Sequence, residues 1–392
     1  MPVRARRRRE HQPARLFAPQ ARSGQVLAAY AGRQALGVLT VPWWPRWRAV
    51  GAALAAGLAG VAICLWLHTP LPWMIGPLFA TAGLRLAGRE LACPVRVREA
   101  GQWAIGTALG LYFTAPVLAV LLDYTPWIAG AVLFALALGA AGAMLLRRLS
   151  GVDHATAFFA MAVGGASEMA VQSERHGADV GKVAAAHSLR MMLVVATIPF
   201  GVRYWGSHGL EAGHESFVPG AALVDYGGLA LLILVTVSGA LACKRGRLPN
   251  AWVIGPLLAA LLLTACGIHL SRLPEWMIRA GQLFIGIALG TRFSPAFLHA
   301  APRYLVSVAL CAMLMLLLAA AFGLGLSYWL AIHPGTAILA TSPGGIAEMS
   351  LTAKTLHLGV PIVTAFHVAR MVVLVLLIGP FFSMLARRPG RN

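Results

Sequence analysis

The sequence predicts an all-α polytopic membrane protein made of two tandem homologous repeats. Three observations carry that prediction. The first is composition: of 392 residues, 59% are hydrophobic and only 11% charged, against about 25% charged in an ordinary soluble domain. No soluble core absorbs that much apolar surface, and the same figures exclude a disordered chain and a disulfide-rich secreted domain. The second is a run of apolar segments of about 20 residues, the length that spans a hydrocarbon core as a helix. The third is that the chain repeats itself.

Trp73-Met-Ile-Gly-Pro-Leu78 reappears as Trp252-Val-Ile-Gly-Pro-Leu257, and Ala100-Gly-Gln-Trp-Ala-Ile-Gly-Thr-Ala-Leu-Gly110 as Ala280-Gly-Gln-Leu-Phe-Ile-Gly-Ile-Ala-Leu-Gly290. Gly164-Gly-Ala-Ser-Glu-Met169 returns as Gly344-Gly-Ile-Ala-Glu-Met349, and His187-Ser-Leu-Arg-Met191 as His367-Val-Ala-Arg-Met371. The last three pairs share one offset of 180 residues, and the first differs from it by one. A register held that far is the mark of a tandem duplication.

In chain order, residues 1–48 come first, as a basic tail. Ten of the 29 arginines lie there, against Glu10 as the only acid. No helix-turn-helix or zinc-knuckle pattern accompanies them, so they read as cytosolic topogenic charge rather than a nucleic-acid patch. The tail has no short apolar core followed by a cleavage site, and Trp43, Trp44 and Trp47 form an interfacial anchor ahead of the first span. Repeat 1 covers 49–205, a linker loop 206–221, repeat 2 222–386, and a cytosolic C-terminus 387–392. The apolar runs pair as 50–68 with 222–242, 71–88 with 251–268, 100–122 with 280–300, 126–146 with 304–330, 153–172 with 336–352 and 180–203 with 358–385.

Two runs in each copy are poor spans. Gly76-Pro77 and Gly255-Pro256 interrupt one pair, and Gly164-Gly165 and Pro343-Gly344-Gly345 the other. Val163 stands where the second copy has Pro343, which predicts a softer break in the first. Such breaks are tolerated at membrane depth only inside protein or along a cavity. If the Gly-Gly-Glu run dips in and returns, each copy crosses five times and the copies are inverted. Arg85–Arg98, Arg147-Arg148, Lys244–Arg247, Arg387-Arg388 and the tail then all fall inside, as the positive-inside rule demands. That gives about ten crossings plus two broken or re-entrant segments. Twelve parallel spans are the alternative.

An ionisable group in mid-bilayer costs at least ~2.5–3.5 kcal/mol, so its presence marks a function. Three such groups occur per copy: Glu168, His187 and Arg190, and Glu348, His367 and Arg370. Each histidine lies three residues before its arginine, hence on the same helix face. A helix starting near Ile346 places Glu348 in its first turn, where the backbone N–H groups attract anions. Paired discontinuous helices of this kind point to a transporter's midplane site. The predicted binding set is therefore Glu168, His187, Arg190, Glu348, His367, Arg370, Gly164, Gly165, Gly344 and Gly345. The competing structural reading pairs Glu168 with Arg190 and Glu348 with Arg370 as buried ion pairs. The five cysteines show no C-x-x-C spacing and the other histidines no ligand spacing, so neither a metal site nor a cofactor is expected.

The duplicated G-G-x-x-E-M element, the G-Q-x-x-I-G-x-A-L-G stretch and the H-x-x-R-M helix resemble the AbrB-type bacterial inner-membrane proteins. Their members carry labels such as ammonia monooxygenase or AbrB family transcriptional regulator. The resemblance covers about 50–386. It implies a multi-pass bacterial inner (plasma) membrane protein with two AbrB duplication domains, distinct from the small soluble DNA-binding regulator of the same name. A monooxygenase would need converging metal ligands that adjacent arginines oppose, so no enzyme is expected. The leading expectation is a secondary transporter or exporter of a small anionic or zwitterionic solute, with H+ or Na+ as coupling partner and both termini cytoplasmic. The second is a membrane sensor that affects gene expression indirectly, without transport and without binding nucleic acid.

Overall fold

A computed structural model describes residues 43–206, 223–248, 250–293 and 302–386. The predicted tail up to residue 42, the linker loop beyond Gly206 and residues 387–392 lie outside the described residues. Every regular element described is a helix, and the described residues from Ala49 onward form one compact unit. The first copy contributes α1 (Trp43–Trp66), α2 (Pro72–Leu86), α3 (Val95–Gly110), α4 (Ala115–Asp123), α5 (Thr125–Ser150), α6 (His154–Met161), α7 (Ala166–Arg175) and α8 (Val180–Gly206). The second contributes α9 (Tyr226–Arg245), α10 (Ala251–Ala265), α11 (Glu275–Gly290), α12 (Pro302–Leu330), α13 (Pro334–Thr341), α14 (Ile346–Thr355) and α15 (Val360–Ala386). The segment matching α4 falls at 295–303, almost all of it outside the described residues. The first helix starts at Trp43, within the span predicted as tail.

The chain is an all-α polytopic membrane protein. Five helices, starting at Trp47, Thr125, Val180, Tyr226 and Pro302, are long and apolar enough to cross a bilayer, and up to seven if each of two bent pairs, α3 with α4 and the two parts of α15, is one span. Their outward faces are apolar, with Leu133, Leu234 and Leu317 all more than 60% exposed, as lipid contact requires. The expected ten crossings exceed this count. At 1.5 Å per residue, α2, α10 and α11 (15, 15 and 16 residues) reach only about 22–24 Å of the roughly 30 Å core.

The helix breaks predicted at Gly76-Pro77 and Gly255-Pro256 are not made, because α2 and α10 run through them. The glycines serve packing instead. A Cβ on Gly76 would overlap the backbone of Gly60 in α1, and one on Gly255 the backbone of Gly239 in α9. This close approach holds each short helix continuous across its proline.

The breaks at the Gly-Gly elements are made, and in both copies alike. Ala162 (φ −53°, ψ 132°) ends α6, and Ser342 (φ −57°, ψ 143°) ends α13. Extended Gly165 and Gly345 then start α7 and α14. The first break is thus no softer than the second, although Val163 stands where the second copy has Pro343. After α7 the chain returns beside the start of α6, where the Asp179 N–H donates to Thr156 Oγ1 at 2.8 Å. Gly359 and Thr336 repeat the bond at 3.1 Å in the second copy. Each Gly-Gly element is therefore the tip of a helical hairpin whose two ends lie together.

The copies interlock. The first copy's α3 packs on the second's α10, α11 packs on α2, and α3 crosses α11, where Gly101 and Gly281 lie against each other. Contacts are reciprocal, with Gly106 on Val253 and its counterpart Gly286 on Met74, as a two-fold relation produces. The equivalent long helices α5 and α12 run antiparallel. Phe134 stacks on Phe322 with ring centroids 4.0 Å apart, Gly142 faces Met315, and Arg303 Nε donates to Leu149 O at 3.2 Å.

Candidate functional site

The two hairpin tips meet at one cavity of about 340 Å³. Each tip is built the same way. Breaking a helix in apolar surroundings strands its last carbonyls, and an unpaired buried carbonyl is costly. The arginine of the following long helix supplies the donors. Arg190 Nη1 donates to Ala162 O at 2.8 Å, and Nη2 reaches Gly164 O at 3.4 Å. Arg370 donates to Ser342 O at 2.7 Å and Gly344 O at 2.6 Å. Both arginines are more than 90% buried. A guanidinium at a helix C-terminus also meets the favourable end of its dipole.

The histidine three residues earlier braces this fork. His187 Nε2 lies 2.9 Å from Phe159 O, and its Nδ1 3.0 Å from Arg190 Nη2. His367 repeats both contacts with Leu339 O and Arg370, at 2.9 and 2.8 Å. A carbonyl accepts from Nε2–H and a guanidinium donates to Nδ1, so the pattern selects one neutral tautomer.

The glutamates sit at the other side of each break. Glu168 and Glu348 occupy the third position of α7 and α14, and each carboxylate folds back over its own helix start. A Cβ on Gly165 would overlap the Glu168 carboxylate, and one on Gly345 that of Glu348. The second glycine of each G-G-x-x-E element is thus the space its glutamate needs, and a carboxylate there complements the positive helix end. The alternative ion pairs are not formed. The ion pairs among the described residues are Lys182–Asp179, Lys244–Glu99, Arg279–Glu275 and Lys354–Glu275, and neither hairpin arginine enters one.

All of the predicted binding residues except Arg190 line the cavity; Arg190 stands behind it, under the first tip. Sequence reading missed Arg98, Gln102, Trp252 and Arg292, which line it from α3, α10 and the end of α11. Arg98 had been placed among the topogenic charges. Arg292 had its signal in the sequence, as a cation inside the apolar run 280–300 where the first copy has Tyr112. At the mouth, Lys244 pairs with Glu99 at 3.1 Å and lies over the Trp252 ring, 5.6 Å from its centroid.

By architecture the chain is an all-α polytopic membrane protein whose two copies each carry a broken helical hairpin facing one cavity. The comparisons with known proteins identify the group. The family described as "Transition state regulatory protein AbrB" matches residues 73–386, and the chain belongs to that AbrB family. It is 28% identical over 316 residues to "Putative regulator AbrB" of Escherichia coli (strain K12), covering 81% of this chain and 90% of that one. It is 26% identical over 364 residues to YhjN of Bacillus subtilis (strain 168), covering 86% and 94%.

Proposed function

We propose that the protein is a secondary transporter or exporter that carries a small anionic or zwitterionic solute through the cavity between its repeats. The observation that carries this reading is the meeting of two half-helix starts, at Gly165 and Gly345, on one cavity whose lining also holds Arg98, Arg292 and Arg370. Helix starts and guanidinium groups both attract anions. Glu168 and Glu348 cap those starts and are the candidate H+- or Na+-responsive groups; protonation or cation binding would loosen a cap and let the solute group take its place. The arginines of the hairpins hold the tips and lend charge, while their donors stay on backbone carbonyls.

The re-entrant hairpins and the antiparallel run of α5 and α12 support inverted repeats with an odd number of crossings each. Ten crossings then require α2, α10 and α11 to cross in the protein interior, shielded by the longer helices. Both termini are assigned to the cytoplasm, in the inner membrane of a bacterium. No enzymatic activity is assigned.

Purified protein in liposomes should move radiolabelled solute down an imposed ion gradient. The name of the Escherichia coli relative favours a second reading, a sensor that binds its ligand without moving it. Saturable binding with no flux would select that reading.

A further inference from the structure

The cavity lining carries four basic side chains, Arg98, Lys244, Arg292 and Arg370, against three acids, Glu99, Glu168 and Glu348. Buried side-chain atoms without a hydrogen-bond partner among the described residues are few, and they include Arg98 Nε and Trp252 Nε1. Both residues line the cavity. Both atoms are N–H donors, and a buried donor left unpaired calls for an acceptor from outside the chain. Arg292 opens onto the same space. Two like charges on one cavity wall disfavour each other unless an anion lies between them. Among the described residues neither arginine enters an ion pair. Of the acids on the cavity, Glu99 pairs with Lys244, and Glu168 and Glu348 fold over Gly165 and Gly345.

The arrangement is also one-sided. At the 180-residue offset Arg98 corresponds to Ile278 and Arg292 to Tyr112, both buried. The hairpin machinery is duplicated, but this pair of cations is not. Duplication conserves what holds the fold, whereas a feature present in one copy alone is free to be fitted to a ligand that lacks two-fold symmetry.

We infer that Arg98 and Arg292, with the Trp252 indole N–H, form the binding subsite for an oxyanion group of the solute, a carboxylate or a phosphate. The inference rests on the transport reading only for the word solute, since a sensor would use the same subsite. Two guanidinium forks satisfy several lone pairs of such a group in fixed geometry. The indole donor supplies a neutral third contact, and Gln102 and Asn250, bonded to each other at 3.3 Å, border the same space.

The test uses the full-length protein in detergent, with sodium phosphate and sodium succinate as probes and sodium chloride holding ionic strength constant. Thermal unfolding should rise saturably with at least one probe. Arg98→Gln and Arg292→Gln should weaken that response at least ~tenfold, the loss expected for one charge-assisted hydrogen bond. Trp252→Phe should weaken it a few-fold, and Arg148→Gln, outside the cavity, should leave it unchanged. Arg292→Lys keeps the charge, guards against loss of folding, and should recover only part of the response. No saturable effect of either probe on the native protein, or an equal effect in both Gln variants, overturns the assignment. Flux in liposomes that survives both Gln substitutions overturns the subsite and leaves transport standing. Binding lost in those variants, with no flux in the native protein, overturns transport and leaves the subsite standing.

Discussion

Arg370 has a position that fixes what its replacement must do. Its guanidinium closes the carbonyls of Ser342 and Gly344 in the break after α13 and meets His367, all within 2.8 Å. Removing it leaves those carbonyls buried without donors, at about 1–3 kcal/mol each. Arg370→Met should therefore destabilise the protein by about 3 kcal/mol or more, read as a lower midpoint in detergent unfolding. Arg370→Lys should recover part of that, because one ammonium cannot reproduce the planar fork. Arg190→Met should cost less, since its Nη2 bond to Gly164 O is 3.4 Å against 2.6 Å for Arg370 to Gly344. Equal stability of both Met variants and the native protein would sink this structural role. The arginines, histidines and glutamates were legible in the sequence because charge in an apolar run is expensive and announces itself. Their partners were not, because backbone carbonyls carry no sequence signature, and a glutamate 22 residues away looked like the natural counter-ion.

The hairpin is the element in which sequence and backbone can be separated. Ala162 and Gly165 take nearly the same backbone conformation as Ser342 and Gly345, although only the second copy has a proline between them. The break is therefore set by what surrounds it, the arginine fork on one side and the glutamate cap on the other. Pro343→Ala should leave the fold intact and change stability by no more than about 1 kcal/mol, checked by the same unfolding measurement. Gly165→Ala should do more harm, about 1–3 kcal/mol, because its methyl group would enter the space of the Glu168 carboxylate. That clash disappears in Gly165→Ala with Glu168→Ala, so the double variant should be less destabilised than the sum of the two single ones. Strict additivity would show that the carboxylate does not sit over Gly165. The same comparison explains why Gly76-Pro77 misled. Read alone, a Gly-Pro pair inside an apolar run is a helix breaker. Read with Gly60 sixteen residues earlier, it is half of a backbone-to-backbone contact, which only tertiary structure discloses.

Across the whole molecule the duplication was legible at once, because a constant offset survives divergence that erases most identities. The relative direction of the copies was not, since it depends on whether the Gly-Gly element crosses or returns. The contacts along α5 and α12 bear on that question directly. Equivalent helices of parallel repeats would place Arg303 beside the start of α5, whereas it bonds Leu149 at the end. For two spans of 26 and 29 residues, roughly 40 Å long, the two ends lie on opposite faces of a bilayer. With the five native cysteines replaced by serine or alanine, single cysteines at Arg148 and Arg303 should label from the cytoplasmic side only. Cysteines at Thr125 and Tyr328 should label from the outside, using a membrane-impermeant thiol reagent on intact cells and on inverted vesicles. The positively charged loop near Lys244 joins the cytoplasmic set through its ion pair with Glu99, so Arg245→Cys should behave as Arg148→Cys does. Arg303 and Thr125 labelling from one face, with Arg148 on the other, would mean parallel copies. The two hairpins would then enter from the same side, and their tips could not face each other across a single midplane cavity as a transporter of this design requires.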